Sequence, residues 1–119
     1  MTRENGLEKL KSKINVDLVF ERGKAVRSGN LIMHYFIPEE GVEKTHVGVG
    51  VPKKSVIMAY RRNRIKRQIK AVIRQREDDI LGLLSPGFYM LLYKGKYSVS
   101  SESLLLDFQG LLRNFRECD

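Results

Sequence analysis

The chain has no tryptophan, three prolines and a single cysteine. With Cys118 alone there is no partner for an intrachain disulfide, so no covalent staple supports the fold. No stretch approaches the roughly 20 apolar residues that a membrane-spanning helix needs. Met1 to Lys13 alternates charged and polar residues and lacks the apolar centre of a secretory signal. These absences lead us to expect a cytoplasmic protein without a membrane anchor. The last absence is local: residues 45–76 contain no aspartate or glutamate.

What fills that acid-free stretch is positive charge. Lys53, Lys54, Arg61, Arg62, Arg64, Lys66, Arg67, Lys70, Arg74 and Arg76 place ten cations in residues 53–76. The rest of the chain has twelve basic against fourteen acidic residues, so the overall charge of +8 belongs to one segment. Ordinary solvated helices interleave both signs, whereas a polyanion-binding surface concentrates one. At 119 residues, 42% apolar and 30% charged, the composition suits one small domain with a charged surface. We expect a single RNA-binding domain over residues 1–119, with its core from about 12 to 116.

The apolar pattern orders the elements. Residues 12–22 read as a short helix, capped by Ser12 and stopped by Gly23. Residues 24–28 form a short strand, turned at Ser28-Gly29-Asn30 into a strand from Leu31 to Ile37, which Pro38 ends. Thr45 to Val51 alternates, with Val47, Val49 and Val51 on a core face and His46, Gly48 and Gly50 on the other. Glycines on that second face leave room for a close approach, by a packed neighbour or by a ligand. From about Ala59 to Arg76 or beyond, Ile65, Ile69, Val72 and Ile73 make a helical stripe. Asn63, Arg67, Lys70 and Arg74 fall opposite it. A strand from Gly87 to Lys94 precedes a last helix capped by Ser100 or Ser101, with Leu104, Phe108, Leu111, Leu112 and Phe115 inward. This order predicts an α+β sandwich with a four-stranded sheet, whose strands around the basic helix can pair in parallel.

The chemistry concentrates in Arg61-Arg62-Asn63-Arg64-Ile65-Lys66-Arg67, preceded by Lys53-Lys54. Guanidinium groups grip phosphate oxygens through paired hydrogen bonds, and lysines add point charges. The first turns of a helix contribute unsatisfied N–H groups and a positive dipole end. Asn63 offers a donor and an acceptor for a sugar hydroxyl, a base edge or a hydrated metal ion. None of these groups is a nucleophile.

Arg62-Asn63-Arg64-Ile65-Lys66-Arg67 resembles the Arg-Asn-Arg signature of the bacterial ribonuclease P protein family. Val19-Phe20-Glu21-Arg22-Gly23-Lys24 is similar to that family's Phe-x-x-Gly approach to its first strand. Val47-Gly48-Val49-Gly50-Val51-Pro52-Lys53-Lys54 resembles its glycine-containing strand, and Gly87-Phe88-Tyr89 the start of its fourth. The resemblance implies a helix-strand-strand-strand-helix-strand-helix fold with a left-handed strand–helix–strand crossover, against the usual hand. It also implies an endoribonuclease holoenzyme that removes the 5′ leader of precursor tRNA. The chemistry there is carried by a catalytic RNA and its magnesium ions, with no obligatory protein partner.

On that reading Lys53, Lys54, Arg61, Arg62, Asn63, Arg64, Lys66, Arg67, Lys70 and Arg74 bind RNA. Phe20, His34 and Lys54 line a cleft for the single-stranded leader. Arg62, angled nearer the apolar stripe, is expected to extend toward the cleft mouth. The chain departs from the family where Ser55-Val56-Ile57-Met58 replaces a Gly-Asn pair and is one residue longer. Val16 stands for a phenylalanine, His34 for a tyrosine and Lys70 for an arginine.

Blander readings stand beside these. Phe20, Tyr35 and Phe36 are each expected to pack in the core rather than stack on bases. His34 and His46 lack a third ligand for zinc, and Glu39, Glu40 and Glu43 read as a solvated loop, as do Glu77, Asp78 and Asp79. A ribosomal or double-stranded-RNA binding module shares the charge map. A self-sufficient nuclease would need a carboxylate or histidine cluster that the sequence does not display.

Overall fold

The computed structural model of the chain describes residues 7–10, 13–96 and 100–118, with side chains through 116. The expected Ser12 cap and the Cys118 side chain lie outside these. Along the chain run β1 (Leu7–Lys9), α1 (Lys13–Arg22), β2 (Lys24–Ser28), β3 (Leu31–Phe36) and β4 (Thr45–Gly50). Then follow α2 (Ala59–Gln75), α3 (Glu77–Leu83), β5 (Gly87–Tyr93) and α4 (Ser101–Cys118).

The described strands form one sheet in the order β1-β4-β5-β3-β2. β2 and β3 form an antiparallel hairpin, and β3 pairs antiparallel with β5. β4 and β5, the strands flanking the basic helix, are parallel. Gly29 has φ 56° in the two-residue hairpin loop, the positive value that a type II′ turn requires at its first central position. The Asp107 carboxylate accepts from the Asn30 N–H at 3.1 Å, so α4 locks this loop.

The expectation of four strands is corrected to five. Leu7, Glu8 and Lys9 pair in parallel with Thr45, His46 and Val47. The strand is fastened by Leu10 N–H to the Val47 carbonyl, by Leu10's burial, and by a 3.0 Å Lys44–Glu8 ion pair. Three residues of mixed polarity have no strand period of their own; the open edge of β4 supplies the order.

The sheet separates two apolar clusters. Odd-numbered residues of β3 and β5, among them Met33, Tyr35, Tyr89 and Leu91, face α2 and α4. There they meet Ile65, Ile69, Val72, Leu104, Phe108, Leu111 and Phe115, with Val47 and Val49 packed alongside. On the other face α1 brings Val19 and Val16 against Phe88, Phe36 and Met90. The valine-inward reading of β4 therefore holds.

The basic helix ends at Gln75, and the chain continues into α3 after one non-helical residue, Arg76 (φ −108°, ψ 21°). That break lets Ile80 and Leu84 reach the core that Ile69 and Val72 already occupy. Glu77, Asp78 and Asp79 fall in the first turn of α3, where a helix dipole favours negative charge. At the last helix the Ser100 hydroxyl accepts from the Ser103 N–H at 3.1 Å, so Ser100 is the cap.

Candidate nucleic-acid interface

Helix α2 stands on its apolar stripe, with Ile65, Ile69 and Val72 buried and Ile73 half-buried. Arg61, Asn63, Arg64, Arg67, Lys70 and Arg74 are exposed, and Lys66 and Arg62 are half-buried. Among the described residues, no carboxylate lies within ion-pair distance of any cation from Lys53 to Arg74. The first paired cation is Arg76, 3.7 Å from Asp79. The helix starts after Met58 with no side-chain cap and no acidic residue in its first turn. Its N-terminal dipole thus adds to the arginines rather than being neutralised.

The turn before α2 is built on Pro52, whose carbonyl accepts from the Ser55 and Val56 N–H groups at 3.1 and 3.2 Å. Val56 is buried in the main core, while Lys53 and Lys54 are exposed. Arg62 does not reach toward a cleft mouth as expected. Its Nη1 donates to the Val56 carbonyl at 2.9 Å and to the Ile57 carbonyl at 2.6 Å. A guanidinium bridging two backbone carbonyls fixes the path of the loop before it fixes anything else.

The predicted residues fall into separate places. Lys70 and Arg74 line a hollow of about 390 Å³ with β1, β4 and Glu77. Lys54 and Arg61 line another, of about 480 Å³, with Lys96. Phe20 and His34 meet on the sheet face that carries α1, with ring centroids 4.8 Å apart. Lys54 belongs to a different hollow from that aromatic pair.

Phe20 is 44% exposed, against the core role expected of it. Tyr35 does pack in the core, edge-on to Phe115 at 4.9 Å, and Phe36 packs with Val16 in the α1 cluster. Burial holds the His34 imidazole below its usual range near 6.5, and the charges of Lys94 and Arg27 push it the same way.

Arg27, Lys94 and Lys96 are cations that sequence reasoning missed. Arg27 had one weak signal, its alternation with Val26 in β2, which turns it outward. Lys94 and Lys96 follow β5 singly and belong to no run. The space beside Gly48 is filled by protein: a Cβ there would lie 2.7 Å from Met90 Sδ and 3.3 Å from Leu10 Cβ. Among the described residues no three His, Cys, Asp or Glu side chains converge to hold a metal ion. No helix among them is long and apolar enough to cross a membrane.

An α+β sheet carrying one densely cationic helix, with no carboxylate paired to it up to Arg74 among the described residues, has the physical character of a polyanion-binding protein. Residues 5–116 match the family described as Ribonuclease P, and the chain belongs to that family. It is 35% identical over 72 residues to a ribonuclease P protein component from Lactobacillus delbrueckii subsp. bulgaricus, covering 60% of this chain and 59% of that one. The component from Staphylococcus carnosus is 32% identical over 73 residues, 61% of this chain and 62% of that one. The aligned stretch thus spans about three-fifths of the length of these curated relatives.

The fold is that of the RNase P protein from Thermotoga maritima, with TM-score 0.69 and 20% identity over 89% of this chain and 96% of that one. The Staphylococcus aureus RNase P protein gives 0.69 and 15% over 88% and 92%.

Proposed function

We propose that this chain is the protein subunit of a ribonuclease P holoenzyme, acting in the cytoplasm. It binds a catalytic RNA and the 5′ leader of precursor tRNA, and assists the endonucleolytic step that yields the mature tRNA 5′ end. The observation that carries this reading is the cationic surface of α2, without an ion-paired carboxylate among the described residues up to Arg74, in a chain of the Ribonuclease P family. Lys53, Lys54, Arg61, Asn63, Arg64, Lys66, Arg67, Lys70 and Arg74 contact the catalytic RNA, mostly at phosphates, which position without reading sequence. Arg62 acts through the loop it holds.

Phe20 and His34, with Arg27 and Lys94 supplying charge, receive the leader. An exposed aromatic ring beside cations suits an unpaired base and its phosphate. Lys54 serves the leader only if the strand extends from that pair to the hollow beside Lys96.

The chemistry belongs to the RNA, whose bound magnesium ions would supply an activated water and charge stabilisation at the leaving oxygen. The described protein residues offer no cluster fit to hold such an ion, so no protein side chain is assigned to that step. The subunit's contribution is positional: it screens RNA–RNA repulsion and orients the leader, so less magnesium is needed.

The test is cleavage of a precursor tRNA at low magnesium by a bacterial catalytic RNA, with and without this protein. Protein should restore cleavage at the mature 5′ end, and RNA-free protein should be inert. Binding without stimulation would favour a plain RNA-binding module, and turnover by RNA-free protein would overturn the subunit reading.

A further inference from the structure

The loop from Lys54 to Met58 presents apolar side chains that the core does not use. Ile57 is 81% exposed, Met58 49% and Tyr60 58%. Three large apolar side chains within four residues, turned to solvent, form a patch rather than a scatter. Their exposure is built into the backbone. Val56 is buried, the Pro52 carbonyl closes the turn, and Arg62 clamps the carbonyls of Val56 and Ile57. With Val56 anchored inward, the clamp holds this segment's course, and its neighbours Ile57 and Met58 stand outward.

Beside them lies the hollow of about 480 Å³, with Lys54, Arg61 and Lys96 among its lining residues and no carboxylate. Arg61 lies 5.8 Å from the Tyr60 ring centroid, and its Nε donates to the Tyr60 hydroxyl at 3.2 Å. A planar ring coupled to a planar guanidinium offers a surface on which a base can stack.

We propose that this hollow takes one unpaired nucleotide of the catalytic RNA. Its base lies on Ile57 and Met58, which line the hollow, and extends onto Tyr60, which stands outside the lining beside Arg61; its phosphate sits among Lys54, Arg61 and Lys96. The inference rests on the subunit reading above and goes beyond it by naming a base contact where that reading names phosphates. Three cations without an acid disfavour a second copy of this chain, whose matching patch would bring the same charges. The catalytic RNA is the source because Arg61 belongs to α2, so the hollow is continuous with the helix's cationic surface. The leader is assigned to Phe20 and His34, which do not line it. The longer loop, Ser55-Val56-Ile57-Met58, thereby gains a role that a Gly-Asn pair has no apolar side chain to perform.

The test uses full-length protein, the catalytic RNA alone, and the RNA with precursor tRNA. Ile57→Ser combined with Tyr60→Ala should keep the wild-type melting temperature, since both side chains are largely exposed. It should weaken binding to the catalytic RNA alone by roughly tenfold, the scale of a lost base stack. The salt dependence should not change, because no cation is removed. Base-specific chemical probing should show one unpaired RNA nucleotide protected by wild-type protein and exposed with the double variant. Equal affinity and equal protection, with wild-type binding and stimulation intact, would overturn the hollow alone. A loss seen only when the leader is present would overturn the catalytic RNA as its source. Failure of wild-type protein to bind the RNA would instead overturn the parent reading.

Discussion

Replacing Ile69 and Arg67 separately tests whether α2 divides its labour between fold and RNA. Ile69 is 1% exposed in the main core cluster, nearly three turns from the helix start. Ile69→Ala removes three carbons, about 2.4 kcal/mol of transfer free energy at ~0.8 kcal/mol per methylene. The cavity left behind adds roughly 24 cal/mol per Å³ to the extent that α4 and the sheet cannot close on it. The expected loss is therefore about 2–5 kcal/mol, a large share of the ~5–15 kcal/mol by which such domains are stable. A thermal melt should fall by roughly 10 °C or more.

Arg67 is exposed, with no carboxylate near it among the described residues. Arg67→Ala should leave stability within about 0.5 kcal/mol. Its effect belongs in the RNA titration. Six phosphate contacts would give a slope of log K against log salt near −4 to −5, and losing one should reduce it by about 0.7–0.9. If Arg67→Ala unfolded the protein while affinity per folded molecule stayed unchanged, the assignment of the helix faces would be wrong.

Two further perturbations follow from particular contacts. Arg62→Ala removes both hydrogen bonds to the 56–57 carbonyls and should cost roughly 1–2 kcal/mol, given their partial exposure. Arg62→Lys keeps the charge but not the fork, so faster amide exchange at residues 55–58 in both variants would show that geometry matters; unchanged exchange in Arg62→Lys would show that charge suffices. For His34, the folded state holds the imidazole below its ordinary range, so the unfolded chain binds the proton more readily. Its contribution to stability is complete above about pH 6.5 and declines as pH falls from there toward the folded-state value. Leader phosphates would offset Lys94 and Arg27, so leader affinity should rise from pH 7.5 to 5.5, and a His34→Gln variant that kept the same rise would exclude His34 as its cause.

Much of the architecture was legible because apolar spacing reports burial. Ile65, Ile69 and Val72 recur at helical intervals and are all buried, and Val47 and Val49 mark the inner face of β4 by alternation. Gly29 marked the hairpin because an L-residue rarely adopts its positive φ. β1 was not legible, since the edge of β4, and not a pattern in Leu7-Glu8-Lys9, makes it a strand. The break at Arg76 was equally hidden. The acidic run that follows, Glu77-Asp78-Asp79, reads as a solvated loop and instead opens α3, because buried Ile80 and Leu84 hold the next turns as helix.

The site divides along the same line. A run of cations on one helix is visible as a run, so the cationic side of α2 was open to reading from composition. The surroundings of His34 were not, because Arg27 and Lys94 come from different strand ends and meet only through the β2–β3–β5 register. Arg62 is the instructive case. Its helical angle sets it nearer the apolar stripe than its neighbours, yet its partners are backbone carbonyls, which leave no trace in sequence. Its charge still adds to the field that draws RNA toward α2. Its Nη1, however, is committed to the loop that turns Ile57 and Met58 outward. On the proposed reading the same basic motif does two things: most of it meets phosphate, and one member shapes the surface beside it. A reading that counts every arginine in the motif as an equal phosphate contact would overestimate the electrostatic share of binding and miss the part that depends on loop shape.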